Sequence, residues 1–114
     1  LYLSGVGPRD PSTNQIPGGP TREADGRPSR TYDIRQQTRA VIENVKAILE
    51  EAGASLDDVM DITCFLIDMD RDFQGFNEVY AEYFGHIQPT RTTLAVNALP
   101  TPIAVELKVI AKAP

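Results

Sequence analysis

A chain of 114 residues, 41% hydrophobic and 24% charged, has the length and composition of one globular domain, residues 1–114, that folds without disulfide or metal staples. No apolar run approaches the roughly 20 residues of a membrane-spanning helix. Sixteen acidic against eleven basic residues give a formal charge of −5, which repels polyanions on average and argues against a nucleic-acid partner. The one cysteine, Cys64, has no internal partner to oxidise with, and a reducing, cytoplasmic setting is the simplest expectation.

The chain opens directly into "LYLSGVG", with neither an initiator Met nor a charged-then-apolar leader, and reads as trimmed at its N-terminus. Leu1, Leu3 and Val6 with Tyr2 form a strand end, stopped by Gly7 and Pro8. Residues 8–30 hold five of the nine prolines and follow neither a period of 2 nor of 3.6. A long surface loop is expected there, of the kind that is functional or mobile.

Ile34, Thr38, Val41, Ile42, Val45, Ile48, Leu49 and Ala52 recur at helical spacing, with Thr31 or Asp33 as cap and Gly53 at the left-handed exit. "VMDITCFLIDM", Val59 to Met69, is β-branched and apolar on both sides, as in a central strand. Phe73, Phe76, Val79, Tyr80, Tyr83 and Phe84 form a second helical stripe despite Gly75, capped by Asp70 or Asp72. Two strands follow, Arg91 to Val96 and Ile103 to Ala111, separated by a turn that Pro100 and Pro102 enforce. The order predicts an α+β domain with two helices stacked on one face of a mixed sheet.

Phosphate-loop, dinucleotide, H-E-x-x-H and paired C-x-x-C fingerprints are absent, so no cofactor and no metal are expected. Cys64 falls mid-strand on an apolar face and reads as core filling; His86, in "GHIQP", reads as a solvated turn residue, with a pH-dependent role as the alternative. Two residues stand out. Arg91 begins a strand in "PTRTTLAV", where its planar fork suits either a surface ion pair or a bidentate grip on a carboxylate. Glu106 interrupts the apolar "IAVELKVIAKA", and alternation alone leaves open whether it lies on a solvated outer face or serves a site.

"SGVG" at Ser4 to Gly7, "QTRAVIENVKAILEEAGASLDDVMDITCFLIDM", "FNEVYAEYF", "PTRTTLAV" and "VELKVIA" together resemble the Rid proteins, the reactive intermediate deaminases also called YjgF-type. The resemblance runs over nearly the whole chain. It implies a chorismate-mutase-like fold with a mixed six-stranded sheet and two helices on one face, assembled as a homotrimer with sites in the clefts between subunits. It also implies roles: Arg91 for the substrate carboxylate, Glu106 for a hydrolytic water, Asn77 and Gly5 for the lining of the cleft. A site tyrosine of many members would precede Leu1, and Thr92 and Thr93 stand where the family often has Ser-Cys. That exchange keeps a hydroxyl at Thr93 for the substrate.

Within the family, the long insert and "RTYDIRQQTRAVIENV" look most like 2-aminomuconate deaminase. The activity implied is hydrolytic release of ammonia from an enamine or imine carboxylate. One of Arg9, Arg22, Arg27 or Arg30 is then the expected partner of a second carboxylate. The alternatives are a general 2-aminoacrylate deaminase and a non-enzymatic trimeric module that binds 2-keto acids.

Overall fold

The computed structural model describes all residues from Leu1 to Pro114. Helix α1, Ile34–Glu51, starts where the Asp33 carboxylate accepts hydrogen bonds from the backbone N–H of Arg35 and Gln36, at 2.9 and 3.1 Å. It stops in a paired-bond exit: Ala54 N–H reaches Leu49 O and Gly53 N–H reaches Glu50 O, with Gly53 at φ +84°, a conformation that costs glycine nothing. Strand β1, Val59–Leu66, leads into helix α2, Met69–Phe84; then come β2, Thr90–Ala95, and β3, Val105–Ala111.

The sheet order is β2-β1-β3, with β2 parallel and β3 antiparallel to β1. Three strands replace the six expected from the resemblance. A fourth rank is present only as isolated bridges, Tyr2 to Ile110 and Val6 to Leu107, which lay the N-terminal segment antiparallel along β3. Four residue steps on that segment answer three on β3, so one extra residue is accommodated between Tyr2 and Val6.

Both helices pack on one sheet face. Ile62, Cys64 and Leu66 of β1 and Val105, Leu107 and Val109 of β3 are fully buried beneath Val41, Ile42, Val45 and Leu49 of α1 and Phe76 of α2. The opposite face, expected to be covered along β1, is not: Thr63 and Phe65 are half-buried, and Leu94 is 45% exposed. Element boundaries move as well. β1 ends at Leu66 rather than Met69, β2 begins and ends one residue earlier than expected, β3 starts at Val105 rather than Ile103, and α2 is capped by Asp68, whose carboxylate accepts from Arg71 N–H, rather than by Asp70 or Asp72.

Asp72 is drawn inward instead. It is buried, takes a 2.6 Å hydrogen bond from the Tyr32 hydroxyl and pairs with Arg71, whose guanidinium lies 3.9 Å from the Tyr32 ring centre. Burial raises the pKa of this carboxyl, against the pull of the Tyr32 and Arg71 hydrogen bonds. Arg71 also donates to the Tyr32 and Arg30 carbonyls, so the end of the long loop is fastened to α2.

Residues 8–30 contain no helix or strand, as expected, but they are tied down along their length. The Asn44 amide donates to Gly7 O and Arg9 O at 2.9 and 2.8 Å. The fully buried Gln37 amide donates to Gly19 O and accepts from Ala104 N–H, both at 2.8 Å, joining loop, α1 and the approach to β3. No helix is long and apolar enough to cross a membrane.

Candidate functional site

Arg91 owes its place to a turn and a register. After α2 the chain reverses through Gln88, held at φ +57° with its N–H on Phe84 O, and Pro89 then launches β2. Arg91 lies opposite Ile62 and Thr93 opposite Cys64, so both side chains share the helix-covered face and meet α2. Nη1 of Arg91 donates to Asn77 Oδ1 at 2.7 Å, and the guanidinium carbon lies 4.6 Å from the Tyr80 ring centre and 5.8 Å from that of Phe73. Phe73, Asn77 and Tyr80 stand at i−4, i and i+3 on one face of α2.

The surface ion pair that Arg91 had as its simpler explanation does not form. The chain's arginine ion pairs are Arg27–Asp25, Arg30–Asp68, Arg35–Glu78, Arg39–Glu82 and Arg71–Asp72, and Arg91 is in none of them. A half-buried guanidinium is thus fixed by an amide and two rings, while its Nε and Nη2 donors meet no acceptor of the chain. Such a fork is shaped for two parallel bonds to a carboxylate.

Cys64 is buried next to this group and is core filling, its thiol pushed up to about 12 by burial. Tyr80 is likewise pushed up to about 12, chiefly by burial. The Tyr80 hydroxyl and the Thr93 hydroxyl are both buried without a hydrogen-bond partner. Sequence reasoning singled out Thr93 but missed Tyr80 and Phe73, although their spacing from Asn77 was the available signal.

Glu106 lies elsewhere. It pairs in register with Phe65, on the open face of the sheet, one strand beyond β1 from Arg91. Its carboxylate rests on the backbone of Gly5, where an added Cβ would stand 2.5 Å from Oε2. The chain therefore makes two pairs, Arg91 with Asn77 and Glu106 with Gly5, on opposite sheet faces. Glu106, Gly5, Ser4, Arg9, Ile48 and Ile103 contribute to a cleft of about 800 Å³ along the N-terminal segment. Of the four loop arginines, Arg27 and Arg30 are engaged by Asp25 and Asp68, Arg22 borders a small separate cavity, and Arg9 alone lines the cleft that holds Glu106. His86 is an exposed turn residue, 3.9 Å from Asp57.

Comparison with known proteins places this arrangement. Residues 1–113 match the family profile described as Endoribonuclease L-PSP. A RutC family protein of Pyrococcus abyssi is 44% identical over 111 residues, covering 97% of this chain and 76% of its own. TdcF of Escherichia coli, provisionally named a reactive intermediate deaminase, is 35% identical over 114 residues. The crystal structure of TdcF with bound serine superposes with a TM-score of 0.79 over 96% of this chain and 77% of that one. A Thermotoga maritima structure, provisionally designated an endoribonuclease, is 40% identical with a TM-score of 0.81, covering 96% of this chain and 76% of its own. The chain spans about three quarters of the length of these relatives, and it belongs to the Endoribonuclease L-PSP family, the YjgF or Rid proteins.

Proposed function

We propose that the protein is a hydrolytic deaminase of small enamine and imine carboxylates, with 2-aminomuconate as its substrate, acting in the cytoplasm as a homotrimer without metal or cofactor. The observation that carries this reading is Arg91: a half-buried guanidinium, aimed by Asn77 and free of any carboxylate of its own chain. TdcF, named a deaminase and solved with an amino acid bound, supports a small carboxylate as ligand. A net charge of −5 supports a small anion over a nucleic acid.

The chemistry runs as follows. The enamine takes a proton on carbon and gives one up from nitrogen to become the imine; water adds across C=N; the resulting carbinolamine takes a proton on nitrogen, gives up its hydroxyl proton and expels ammonia, leaving the 2-keto acid. Arg91 holds the carboxylate and withdraws charge from the adjacent imine carbon. Glu106 orients the water, removes its proton as it adds, and returns that proton to the departing nitrogen. Thr93 donates to the substrate, and the backbone at Gly5 limits where the Glu106 carboxylate can sit.

The two halves lie on opposite faces of one sheet, so a shared site requires the open face of one subunit, which carries Glu106, to meet the β2 edge of another, where Arg91 lies against α2. In a dicarboxylate the far group would reach Arg9, the one loop arginine that lines the Glu106 cleft.

The test is ammonia release and absorbance loss with freshly generated 2-aminomuconate beside 2-aminoacrylate. Arg91→Ala is expected to lower kcat/KM roughly 10- to 150-fold, the equivalent of about 1.5–3 kcal/mol for a charged hydrogen-bonded contact. Glu106→Ala is expected to keep ligand binding and lose about 10²- to 10⁴-fold in kcat. Full turnover by Glu106→Ala overturns the mechanism. Preference for 2-aminoacrylate makes the protein a general imine deaminase, and Arg91-dependent binding of 2-keto acids without turnover of either substrate makes it a binding module.

A further inference from the structure

Arg91 has beside it one polar group more than Asn77 and Thr93, the two already expected there, and that group is the Tyr80 hydroxyl. Thr93 follows it by two residues on the same face of β2, and Tyr80 lies beneath its guanidinium. Both hydroxyls are buried and neither has an oxygen or nitrogen partner, the Thr93 hydroxyl lying beside the Cys64 thiol. Tyr80 is only 8% exposed. A buried hydroxyl without an oxygen or nitrogen acceptor is a standing cost to the folded chain, and here two of them lie beside a guanidinium that forms no ion pair and spends one donor, Nη1, on Asn77.

Packing does not explain the Tyr80 hydroxyl. Phe76, Tyr80 and Phe84 form one row along α2, with ring centres 5.8 and 4.8 Å apart, and the rings on either side of Tyr80 make the same contacts as plain phenylalanines. The stacking under Arg91 likewise needs only the ring face. The hydroxyl is the one part of Tyr80 for which neither the core nor the arginine has a use.

We propose that Tyr80 is a third donor of the carboxylate site, its hydroxyl joining the Arg91 guanidinium and the Thr93 hydroxyl on a bound carboxylate. This rests on the reading of Arg91 as the carboxylate anchor, and it deepens that reading by naming what completes the anion's shell. Burial holds Tyr80 protonated, so it is a donor throughout the working pH range.

The experiment is calorimetric titration with pyruvate, a stable 2-keto carboxylate, of the wild type, Tyr80→Phe and Arg91→Ala, with the ligand-free Tm of each. Tyr80→Phe is expected to raise the pyruvate Kd about tenfold or more, while its ligand-free Tm equals or exceeds that of the wild type, because phenylalanine leaves no buried hydroxyl unsatisfied. A Kd within twofold of wild type, with Arg91→Ala no longer binding, overturns the role of Tyr80 and leaves Arg91 as anchor. A ligand-free Tm that falls by several degrees shows the hydroxyl to be structural and also overturns it. Undiminished binding by Arg91→Ala, or no binding by the wild type, removes the anchor reading and this inference with it.

Discussion

A methyl group at position 5 would stand 2.5 Å from Oε2 and 2.9 Å from the carboxyl carbon of Glu106. The obstacle is the far end of a flexible side chain, so the fold can absorb the change by swinging the carboxylate away. Gly5→Ala is therefore expected to change Tm by no more than a few degrees while lowering kcat by about tenfold or more, as a catalytic group displaced by an ångström does. Thermal melts beside steady-state turnover check it; unchanged kcat would mean that the Glu106 position seen here is not the working one. Arg91 and Glu106 both stood out in the sequence, for different reasons and to different depth. The arginine declared itself by sitting after Pro89 at a strand start. The face occupied by Glu106 was not decidable from alternation, since Lys108 and Ile110 share it, and only the approach of Gly5 shows what the carboxylate touches. Tyr80 and Phe73 looked like ordinary members of an apolar stripe: their spacing from Asn77 puts all three on one face of α2, but that an arginine from the next strand lies over that face is a non-local contact.

At the scale of elements, α1 was legible because its signals are local: an aspartate cap, a 3-4 apolar spacing and a glycine exit all occur within the helix and its borders. The first turn of α2 was not. Asp68, Asp70 and Asp72 are all able to cap, and the choice is settled by Tyr32 and Arg71, which draw Asp72 into the interior and leave Asp68 to do it. Gln37 was hidden for the same reason, a polar residue whose partners, Gly19 O and Ala104 N–H, are distant in sequence. It is the clip between the long loop and the approach to β3. Replacing it by leucine strands two backbone groups and is expected to cost about 2–6 kcal/mol, each unsatisfied group contributing roughly 1–3. Urea unfolding of Gln37→Leu would show a lower midpoint at unchanged slope; a midpoint equal to wild type would show that the loop does not depend on this clip.

The whole molecule has one helix-covered face and one bare face. Leu94 at 45% exposure, Met60 at 54% and half-buried Phe65 and Ile110 leave apolar surface around the bare side of the sheet, beside Glu106 and Lys108. Light scattering of the wild type is expected to give three times the monomer mass. Leu94→Asp, which places a charge on that face without touching Arg91 or Glu106, is expected to give monomers and to abolish most turnover, because the site needs both halves. An active Leu94→Asp monomer would refute the shared site. The bare face explains why β1 read as buried on both sides: its composition is that of a central strand, while the helices cover only one of its faces.

The N-terminal segment along β3 divides the site by chain distance. Arg91 and its Asn77 clamp are 14 residues apart, and everything that aims them lies between β1 and β2. The opposite wall waits for two segments far apart in sequence to meet: Ala111 N–H on Leu1 O spans 110 residues, and Gly5 is joined to Glu106 by the same long closure. Closures of that length form late and open early, since local contacts are made before non-local ones. The anion receptor is in this sense the older part of each folding event. A chain whose Leu1–Gly7 segment came away from β3 would go on capturing carboxylates while its water-directing wall is undone, so that capture outlasts turnover whenever that closure opens.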